Sequence, residues 1–386
     1  MQTPKKKIII IGPAYPYRGG NSLFVSHIYD ALKEDFEVKI FNFKLLYPSI
    51  LFPGKTQFDE SATLIKKAPN ERLVSSISPI SWVQVANRII KENPDLVVFD
   101  WWHPFFAFCH FTISELIKKR FRKKILFITE NFISHEGNFI DQRLTAIGLK
   151  NASSFMVLSG IVEKEVNLIA NGRKVYKSEL PIYDCYKTDE TTSASNLRKE
   201  FGFSEHDKVL LFFGYVRKYK GLDLLIDAFP RILSSIPNSK LLIVGEFYDS
   251  PDLYFDLIKK LGLEKDTVVV NKFVPNEDVG KYYKVSDLVI LPYRSATQSG
   301  ILNVAYGFLK PVVVTNVGGL SEFVEDKKTG IIINPDSPEE IANGVIEYFR
   351  LKDQIDFKKN IQELVNKNKF GNLASLFNQI IMDTQS

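Results

Sequence analysis

The sequence is poor in cysteine and contains no long apolar run. Only Cys109 and Cys185 occur among 386 residues, and neither belongs to a pattern spaced for metal binding. These features exclude a disulfide-stapled secreted domain and a small zinc module. The longest apolar stretches, such as residues 104–109, fall far short of the ~18 residues that predict a membrane span. We expect a reduced, cytoplasmic protein without a transmembrane helix.

Two common nucleotide-binding signatures are also absent. The segment IGPAYPYRGGN, residues 11–21, is no GxGxxG fingerprint, because bulky residues separate Gly12 from Gly19, and no GxxxxGK[ST] motif occurs. An NAD enzyme and a P-loop enzyme are therefore disfavoured. The apolar run after the initial MQTPKKK is too short for a signal peptide, so it predicts a first buried strand.

Positive charge is concentrated in the first half of the chain. Residues 1–185 contain 25 Lys and Arg against 18 Asp and Glu, whereas the remainder has 25 against 27. The densest patch, KKRFRKK at residues 118–124, predicts contact with anionic lipid headgroups or with a phosphorylated acceptor. A solvated helix end is the equally acceptable alternative.

Short apolar runs recur along the chain, each followed by a segment with helical spacing, which is typical of parallel α/β sheets. The predicted strands are 7–12, 38–43, 96–99, 125–129, 154–158, 209–213, 241–244, 267–270, 288–291, 312–315 and 331–333. The predicted helices are 21–33, 80–91, 106–120, 139–149, 161–171, 221–233, 252–261, 277–284, 299–308, 338–349 and 372–382.

The order of these elements predicts two doubly wound, Rossmann-like domains. The first spans residues 1–185 and the second 197–369; the polar segment 186–196 is the predicted linker, and 370–386 a helix that packs back on the first domain. Ligands of such sheets bind beyond the carboxyl ends of the strands, so we expect the site in a cleft between the domains.

Two segments of the second domain are suited to holding an anion. In SATQSG, residues 295–300, small residues precede a predicted helix, whose first N–H groups attract phosphate. In FGYVRKYKG, residues 213–221, Arg217 and Lys220 follow a strand and meet the needs of a diphosphate leaving group, while Gly214 allows a tight turn. The alternatives are an ordinary strand–helix connection and two solvated cations.

Polar and aromatic residues follow two predicted strands of the first domain. DWWHP places Trp101 and Trp102 as flat platforms for a sugar or for lipid headgroups, with His103 beside them. The alternative is that both Trp are core residues and His103 caps the turn. TENFISHE brings Glu130, Asn131, His135 and Glu136 to the same edge for acid–base work or hydroxyl binding. Its spacing matches no HExxH pattern, so no metal is predicted.

Several motifs in the same order resemble the retaining GT-B glycosyltransferases of family 4. They are the glycine pair after the first strand, FFGYVRKYKGLDLLIDAF, LPYRSATQSG and AYGFLKPVVVTNVGG, the third being typical of a branch with a TQSG turn. The resemblance implies a GT-B fold and sugar transfer from a UDP- or GDP-sugar to a hydroxyl of a glycan or lipid-linked acceptor. It implies retention, no metal and no cofactor. We expect a role in cell-surface polysaccharide or glycoconjugate synthesis, with peripheral contact at the inner face of the cytoplasmic membrane and no nucleic-acid partner.

The resemblance also assigns roles to individual residues. It matches Arg217 and Lys220 to the donor-phosphate cations, the Arg three residues after Gly214 where many members have it directly after the glycine. The glycine loop that approaches the sugar and diphosphate matches Gly19 and Gly20. Backbone near Phe273 and Val274 holds the nucleoside base in this family. Glu130 replaces a catalytic-domain histidine, as a substitute for it or as a ligand of a sugar hydroxyl.

The chain departs from the family in one motif. Aligned on Lys310-Pro311, the two glutamates of the E-x7-E motif fall on Ala296 and Val304. Neutral hydrogen bonds contribute only ~1 kcal/mol, so donor recognition is expected to be weaker or different. The candidates for this work are Thr297, Gln298, Ser299, Gly300 and Asn303. Two alternatives remain open, a sugar-nucleotide epimerase on the same fold and a non-catalytic sugar-binding subunit.

Overall fold

A computed structural model describes residues 4–52, 54–63, 65–132, 139–186 and 192–385. The chain forms two compact units. Unit 1 comprises Met1–Asp59, Lys66–Pro181 and Asn368–Ser386, and unit 2 comprises Glu60–Ile65 and Ile182–Lys367. Among the described residues, no helix combines the length and the apolar character needed to cross a bilayer.

Strands and helices alternate through both units. The strands are β1 (Lys7–Ile11), β2 (Glu37–Leu45), β3 (Asn70–Ser75), β4 (Leu96–Trp101), β5 (Ile125–Thr129), β6 (Ser154–Val157), β7 (Lys174–Lys177), β8 (Lys208–Phe213), β9 (Ser239–Val244), β10 (Thr267–Val270), β11 (Leu288–Leu291), β12 (Val312–Thr315) and β13 (Gly330–Ile333). The α-helices are α1 (Gly20–Leu32), α2 (Pro79–Glu92), α3 (Ala107–Ile117), α4 (Phe139–Gly148), α5 (Gly160–Ala170), α6 (Ala194–Glu200), α7 (Leu222–Ser235), α8 (Asp252–Lys260), α9 (Asn276–Val285), α10 (Gly300–Gly307), α11 (Pro338–Leu351), α12 (Phe357–Asn366) and α13 (Leu373–Gln385).

Each unit is built on one parallel sheet. Unit 1 has seven strands in the order β3-β2-β1-β4-β5-β6-β7, and unit 2 has six in the order β10-β9-β8-β11-β12-β13. The strand order reverses between β1 and β4 in unit 1 and between β8 and β11 in unit 2. Loops that follow these pairs diverge to opposite faces and leave space for a ligand at the carboxyl edge. The predicted pair of parallel α/β sheets is confirmed.

Every predicted strand is present, and two further strands flank the unit-1 sheet. Residues of β3, NERLVS, mix polar and apolar side chains, and β7, KVYK, exposes Lys174 and Lys177 at the sheet edge. Neither has the continuous apolar run of a strand buried on both faces. Helix α6 begins inside the predicted linker, because the hydroxyl of Ser193 caps it by accepting a hydrogen bond from the Asn196 N–H at 3.1 Å.

The unit-1 sheet has a core on each face. One contains Phe99, Trp101 and Phe127 with side chains of α2, α3 and α5. The other contains strand isoleucines together with α1 and the C-terminal helix α13, whose Phe377 and Ile381 are fully buried. The end of the chain therefore supplies part of the core of the unit that the start of the chain builds.

Candidate functional site

The loop after β8 is shaped by glycines. Gly214 has a φ of +106°, and its N–H donates to the Val244 carbonyl at 2.9 Å. Gly245, after β9, approaches Gly214 so closely that a Cβ atom there would lie 1.9 Å from the Gly214 carbonyl oxygen. The two strand ends can meet only because neither residue carries a side chain.

This loop holds a buried cation. Lys220 is 7% exposed, and its Nζ lies 5.5 Å from the centre of the Tyr293 ring. Burial, and secondarily the charge of the nearby half-buried Arg217, lower the pKa of Lys220 to about 8. Arg217 itself lies over the ring of Tyr219, at 5.5 Å. No carboxylate of the described residues faces Lys220. An anionic ligand would therefore stabilise the neighbouring charges of Lys220 and Arg217.

Arg294 fixes the loop to the segment after β11. Its guanidinium forms a bidentate pair with Asp223, both distances being 2.7 Å, and donates to the Lys218 carbonyl at 2.9 Å. The Arg294 N–H also donates to the Tyr219 carbonyl at 2.7 Å. The sequence did not predict this ion pair, because Arg294 and Asp223 are far apart in the chain. Each of them alone resembles a solvated charge.

The SATQSG turn leads into α10 as predicted. The Ser299 hydroxyl caps the helix by accepting from the Leu302 N–H at 3.4 Å and lies 3.5 Å from the Tyr293 hydroxyl. Thr297 and Asn303 are also buried. The Oε1 atom of half-buried Gln298 accepts no hydrogen bond from the described residues. Of the neutral candidates, Ser299 is thus already engaged as a cap, and Gln298 retains a free acceptor.

Close backbone contacts hold this turn in place. A Cβ atom at Gly318, whose φ is +50°, would lie 1.7 Å from the Ala296 carbonyl oxygen, and the Gly319 N–H donates to that oxygen at 3.1 Å. A Cβ atom at Gly300 would lie 3.3 Å from the ring of Tyr183. Packing of the turn therefore requires glycine at position 318, and Gly300 packs closely against Tyr183.

Phe273 and Val274 follow β10 at the same carboxyl edge. Val274 is buried and Phe273 is half-buried, and β10 is separated from β8 by β9. Gly214, Arg217 and Lys220 instead follow β8, and the TQSG turn follows β11, the strand adjacent to β8. Unit 2 thus brings the phosphate candidates together at its switch point and places the base candidates toward the edge of the sheet.

In unit 1, two glycines mark the start of α1. Gly19 has a φ of +103°, and apart from its chain neighbours and the helix backbone no atom of the described residues lies within 4 Å of a Cβ built at Gly19 or at Gly20. The preceding loop is held by the buried amide of Asn42, which donates to the Ala14 and Tyr15 carbonyls and accepts from the Ala14 N–H, all at 3.0 Å. Asn42 was not predicted, since buried amides leave no pattern in a single sequence.

Two carboxyl groups lie at the carboxyl edge of the unit-1 sheet. Asp100 is fully buried and Glu130 is 6% exposed. Burial, followed by the neighbouring Glu130, raises the pKa of Asp100 well above its ordinary value, and burial raises the pKa of Glu130 to about 7. The Asn21 amide, in the first turn of α1, donates to Glu130 Oε1 at 2.9 Å. Glu130 was predicted here, whereas the role of Asp100 was missed.

The two predicted aromatic platforms are core residues, which corrects that expectation. Trp101 is fully buried, and a Cβ atom at Gly148 would lie 2.3 Å from its ring. Trp102 is 9% exposed and donates from Nε1 to the Tyr47 hydroxyl at 3.1 Å. His103 Nδ1 accepts from the Phe105 N–H at 3.1 Å and caps the turn. The alternative stated from the sequence describes all three residues, because the apolar residues around them bury the indoles.

Two further predictions concern His135 and Glu136, which lie outside the described residues. In the part of the chain that is described, no group of three or more His, Cys, Asp and Glu residues is arranged to hold a metal ion. The predicted site residues therefore form two sets, a cationic one at the unit-2 switch point and an acidic one at the carboxyl edge of unit 1.

Comparison with known proteins finds a family match in the second half of the chain. Residues 193–364 match the family described as glycosyl transferases group 1. The uncharacterized glycosyltransferase MJ1607 of Methanocaldococcus jannaschii is 35% identical over 150 residues, which cover 39% of this chain and 38% of that protein. The chain thus spans about two fifths of the length of the curated relatives it matches at this level.

Longer matches are more distant. The N-acetyl-alpha-D-glucosaminyl L-malate synthase of Bacillus anthracis is 24% identical over 348 residues, 87% of this chain and 83% of that protein. The crystal structure of Anabaena Alr3699/HepE in complex with UDP superposes with a TM-score of 0.72 at 16% identity, covering 98% of this chain and 100% of that one. This likeness shows the fold: the chain has the GT-B fold.

Proposed function

We propose that the chain is a glycosyltransferase that moves a sugar from a UDP- or GDP-linked donor to a hydroxyl of a glycan or lipid-linked acceptor, with retention. The observation that carries the proposal is the buried ammonium of Lys220 beside Arg217 at the unit-2 switch point. Both residues lie within the segment that matches glycosyl transferases group 1. The UDP complex of HepE, a structural neighbour, supports a nucleotide as the ligand class.

The chemistry requires charge stabilisation on the leaving group. The bond between the anomeric carbon and the diphosphate oxygen breaks, a bond to the acceptor oxygen forms, and the proton of the acceptor hydroxyl passes to the departing diphosphate. Negative charge that develops on the diphosphate meets the guanidinium of Arg217, the ammonium of Lys220 and the first N–H groups of α10. Because two side-chain cations supply this charge, we propose a reaction without a metal ion.

Nucleotide release tests this proposal. UDP- and GDP-sugars are supplied with lipid or glycan acceptors, and release of nucleotide is measured with and without EDTA. Arg217→Ala is expected to lower the acceptor-dependent rate about 100-fold or more. Lys218→Ala, in an exposed neighbour on the same loop, is the matched control. An undiminished rate in Arg217→Ala would remove the phosphate role, and conversion of the donor without acceptor would indicate an epimerase.

Retention is tested by the anomeric configuration of the product. Proton NMR of the glycoside formed should show the configuration of the donor sugar. An inverted anomeric centre would contradict this part of the proposal while leaving the transferase activity in place.

Proton uptake gives a test independent of turnover. Since burial lowers the pKa of Lys220 to about 8, a bound diphosphate should raise it again and draw a proton from solution. Calorimetry of UDP and GDP binding at pH 8.5, in buffers of different ionisation enthalpy, should show uptake of a fraction of one proton. Lys220→Met should bind without uptake; equal uptake in both proteins would exclude Lys220 as the titrating group.

Donor recognition is proposed to involve Gln298 in place of the missing glutamates. Its Oε1 is the acceptor left unused by the described residues, and it directly precedes the capping Ser299. Gln298→Ala should raise KM for the donor about tenfold or less, in keeping with a neutral hydrogen bond. An unchanged KM would assign donor recognition to Thr297 or Asn303.

We also propose peripheral contact with an anionic membrane, on the cytoplasmic side, in cell-surface polysaccharide or glycoconjugate synthesis. Helices α3 and α4 pack against each other and expose Phe108 at 58%, Phe139 at 63% and Ile140 at 64%. Arg143 lies 4.3 Å over the Phe139 ring, and the basic residues 118–124 follow α3. Apolar side chains beside cations suit the interface of an anionic bilayer.

Vesicle sedimentation tests this contact. The protein should pellet with vesicles that contain phosphatidylglycerol and less with neutral ones, and the double variant Phe139→Ser, Ile140→Ser should pellet less. Leu168→Ser, which changes an exposed residue of α5, is the matched control. Equal sedimentation of both variants would remove the α3–α4 surface from the proposal.

A further inference from the structure

Two buried carboxyl groups face each other in unit 1, and strand register explains why. Asp100 pairs with Ile128 across β4 and β5, and side chains alternate between the faces of a sheet. Glu130, two residues after Ile128, therefore points to the same face as Asp100. The first turn of α1 covers this face and presents the Asn21 amide to Glu130.

Among the described residues, the surroundings of the pair contain no compensating cation. The charged group that faces Asp100 is the carboxyl of Glu130, and Glu130 faces Asp100 and the neutral amide of Asn21. No lysine, arginine or histidine of the described residues faces either carboxyl. Neither oxygen of Asp100 accepts a hydrogen bond from a described donor. Two buried carboxylates in this setting would repel each other, and they can bond to each other only if one is protonated.

We propose that Asp100 and Glu130 hold one proton between them and that the pair binds a sugar hydroxyl at the carboxyl edge of unit 1. Glu130 is the residue that contacts the hydroxyl, and Asp100 is a positioning residue that acts through it. The proposal rests on the proposed function for the identity of the ligand, a sugar. The direction of both pKa shifts, upward, agrees with a retained proton.

The position of the pair points to a ligand. A Cβ atom at Gly12 would lie 3.1 Å from the Asp100 Cβ, so the β1 loop runs directly beside the carboxyl. The same loop ends at Gly19 and Gly20, where the described residues outside the local backbone leave at least 4 Å around a Cβ position. A sugar hydroxyl both donates and accepts a hydrogen bond, and a singly protonated carboxyl pair offers both an acceptor and a donor.

The dependence of unfolding on pH tests the shared proton without any substrate. Above pH 7 the folded wild type should retain one proton that the unfolded chain has lost, so its unfolding equilibrium constant should rise with pH. Asp100→Asn keeps the shape but removes that proton. The ratio of the wild-type to the variant unfolding constant, measured in urea, should therefore grow between pH 7.5 and 9, by at most tenfold per pH unit.

A matched control and a second measurement keep this test decisive. Asp35→Asn, a change in an exposed carboxyl of unit 1, should leave the corresponding ratio constant. If Asp100→Asn does not fold, infrared spectroscopy of the wild type at pH 8 should still show the C=O band of a protonated carboxylic acid, and Glu130→Gln should shift or remove that band. A constant wild-type ratio or a missing band would overturn the shared proton.

Deoxy-sugar nucleotides test hydroxyl binding. The wild type should prefer the full donor over one deoxy analogue by about tenfold or more, and Glu130→Gln should reduce that preference selectively. Asp100→Asn should change the pH dependence of the same preference. Unaltered discrimination in Glu130→Gln against every analogue would overturn the hydroxyl site. If no nucleotide sugar reacts at all, the proposed function fails, while the unfolding and infrared results still decide the shared proton.

Discussion

The carboxyl edges of the two sheets share a topology and differ in charge. In unit 2 the edge carries Lys220 and Arg217, and in unit 1 it carries Asp100 and Glu130. Burial lowers the pKa of Lys220 and raises those of the two acids, so that in each case it favours the neutral form of the group. One parallel-sheet plan thus carries buried cations in one unit and buried acids in the other, for which we propose an anion site and a hydroxyl site. The residues that follow the switch-point strands determine this difference.

Replacing Lys220 by Met tests the cationic carboxyl edge of unit 2 and should have the largest effect. We expect the transfer rate to fall roughly 100- to 1000-fold, the effect of removing one preorganised group that stabilises the leaving charge. The protein should nevertheless unfold at higher urea at pH 7, because the buried ammonium costs free energy there. A folded-state pKa of about 8, below the ordinary 10.5, means that this cost is present at neutral pH and vanishes above pH 10.5.

The control for this variant is Lys218→Met in the exposed neighbouring position. Lys218→Met should change neither the transfer rate nor the urea concentration of unfolding by more than a small factor. Loss of both activity and stability in Lys220→Met would show that the lysine is a structural residue.

Replacing Glu130 by Gln tests the acidic carboxyl edge of unit 1. The pKa of Glu130 is raised to about 7, so its contribution to stability is fully present below pH 4.5 and is lost as the pH rises through 7. Glu130→Gln should therefore match the wild type at pH 4.5 and exceed it at pH 8, by on the order of 2 kcal/mol in the free energy of unfolding. Urea titrations at both pH values measure the difference; a variant that is less stable at pH 8 would contradict it.

Arg294→Lys tests whether the loop after β8 depends on the hydrogen bonds of Arg294. Lysine cannot form the bidentate pair with Asp223 while also reaching the Lys218 carbonyl. We expect a loss of about 1 to 2 kcal/mol in stability and a several-fold rise in KM for the donor. Arg231→Lys, in a more exposed pair with Glu339, is the matched control and should have little effect on either.

Trp102→Phe gives the smallest effect and tests the core assignment. The variant loses the hydrogen bond to the Tyr47 hydroxyl and should lose about 1 kcal/mol of stability. Thermal unfolding measures this loss. A marked rise in acceptor KM in the folded variant would restore the sugar-stacking role that burial argues against.

Sequence reasoning was effective where local pattern determines structure. Continuous apolar runs predicted the buried strands, and the small residues before α10 predicted its start. It failed where structure depends on distant partners. The Arg294–Asp223 pair, the Asn42 network and the Asp100–Glu130 contact each join residues from different strands or loops, and register or burial decides them. The two tryptophans show the same limit, since their place at a strand end suggested a binding site, whereas packing against surrounding apolar residues makes them part of the core.

The packing of α13 has a consequence for synthesis of the chain. Residues 368–386 complete unit 1, and they are synthesised after the whole of unit 2, which ends at Lys367. Until α13 has been synthesised, the face of α1 that it covers, including Phe24 and Ile28, stays exposed to water. A nascent chain can thus mature unit 2 first, and a stop codon before residue 370 would leave an exposed apolar surface on unit 1 while unit 2 stays intact.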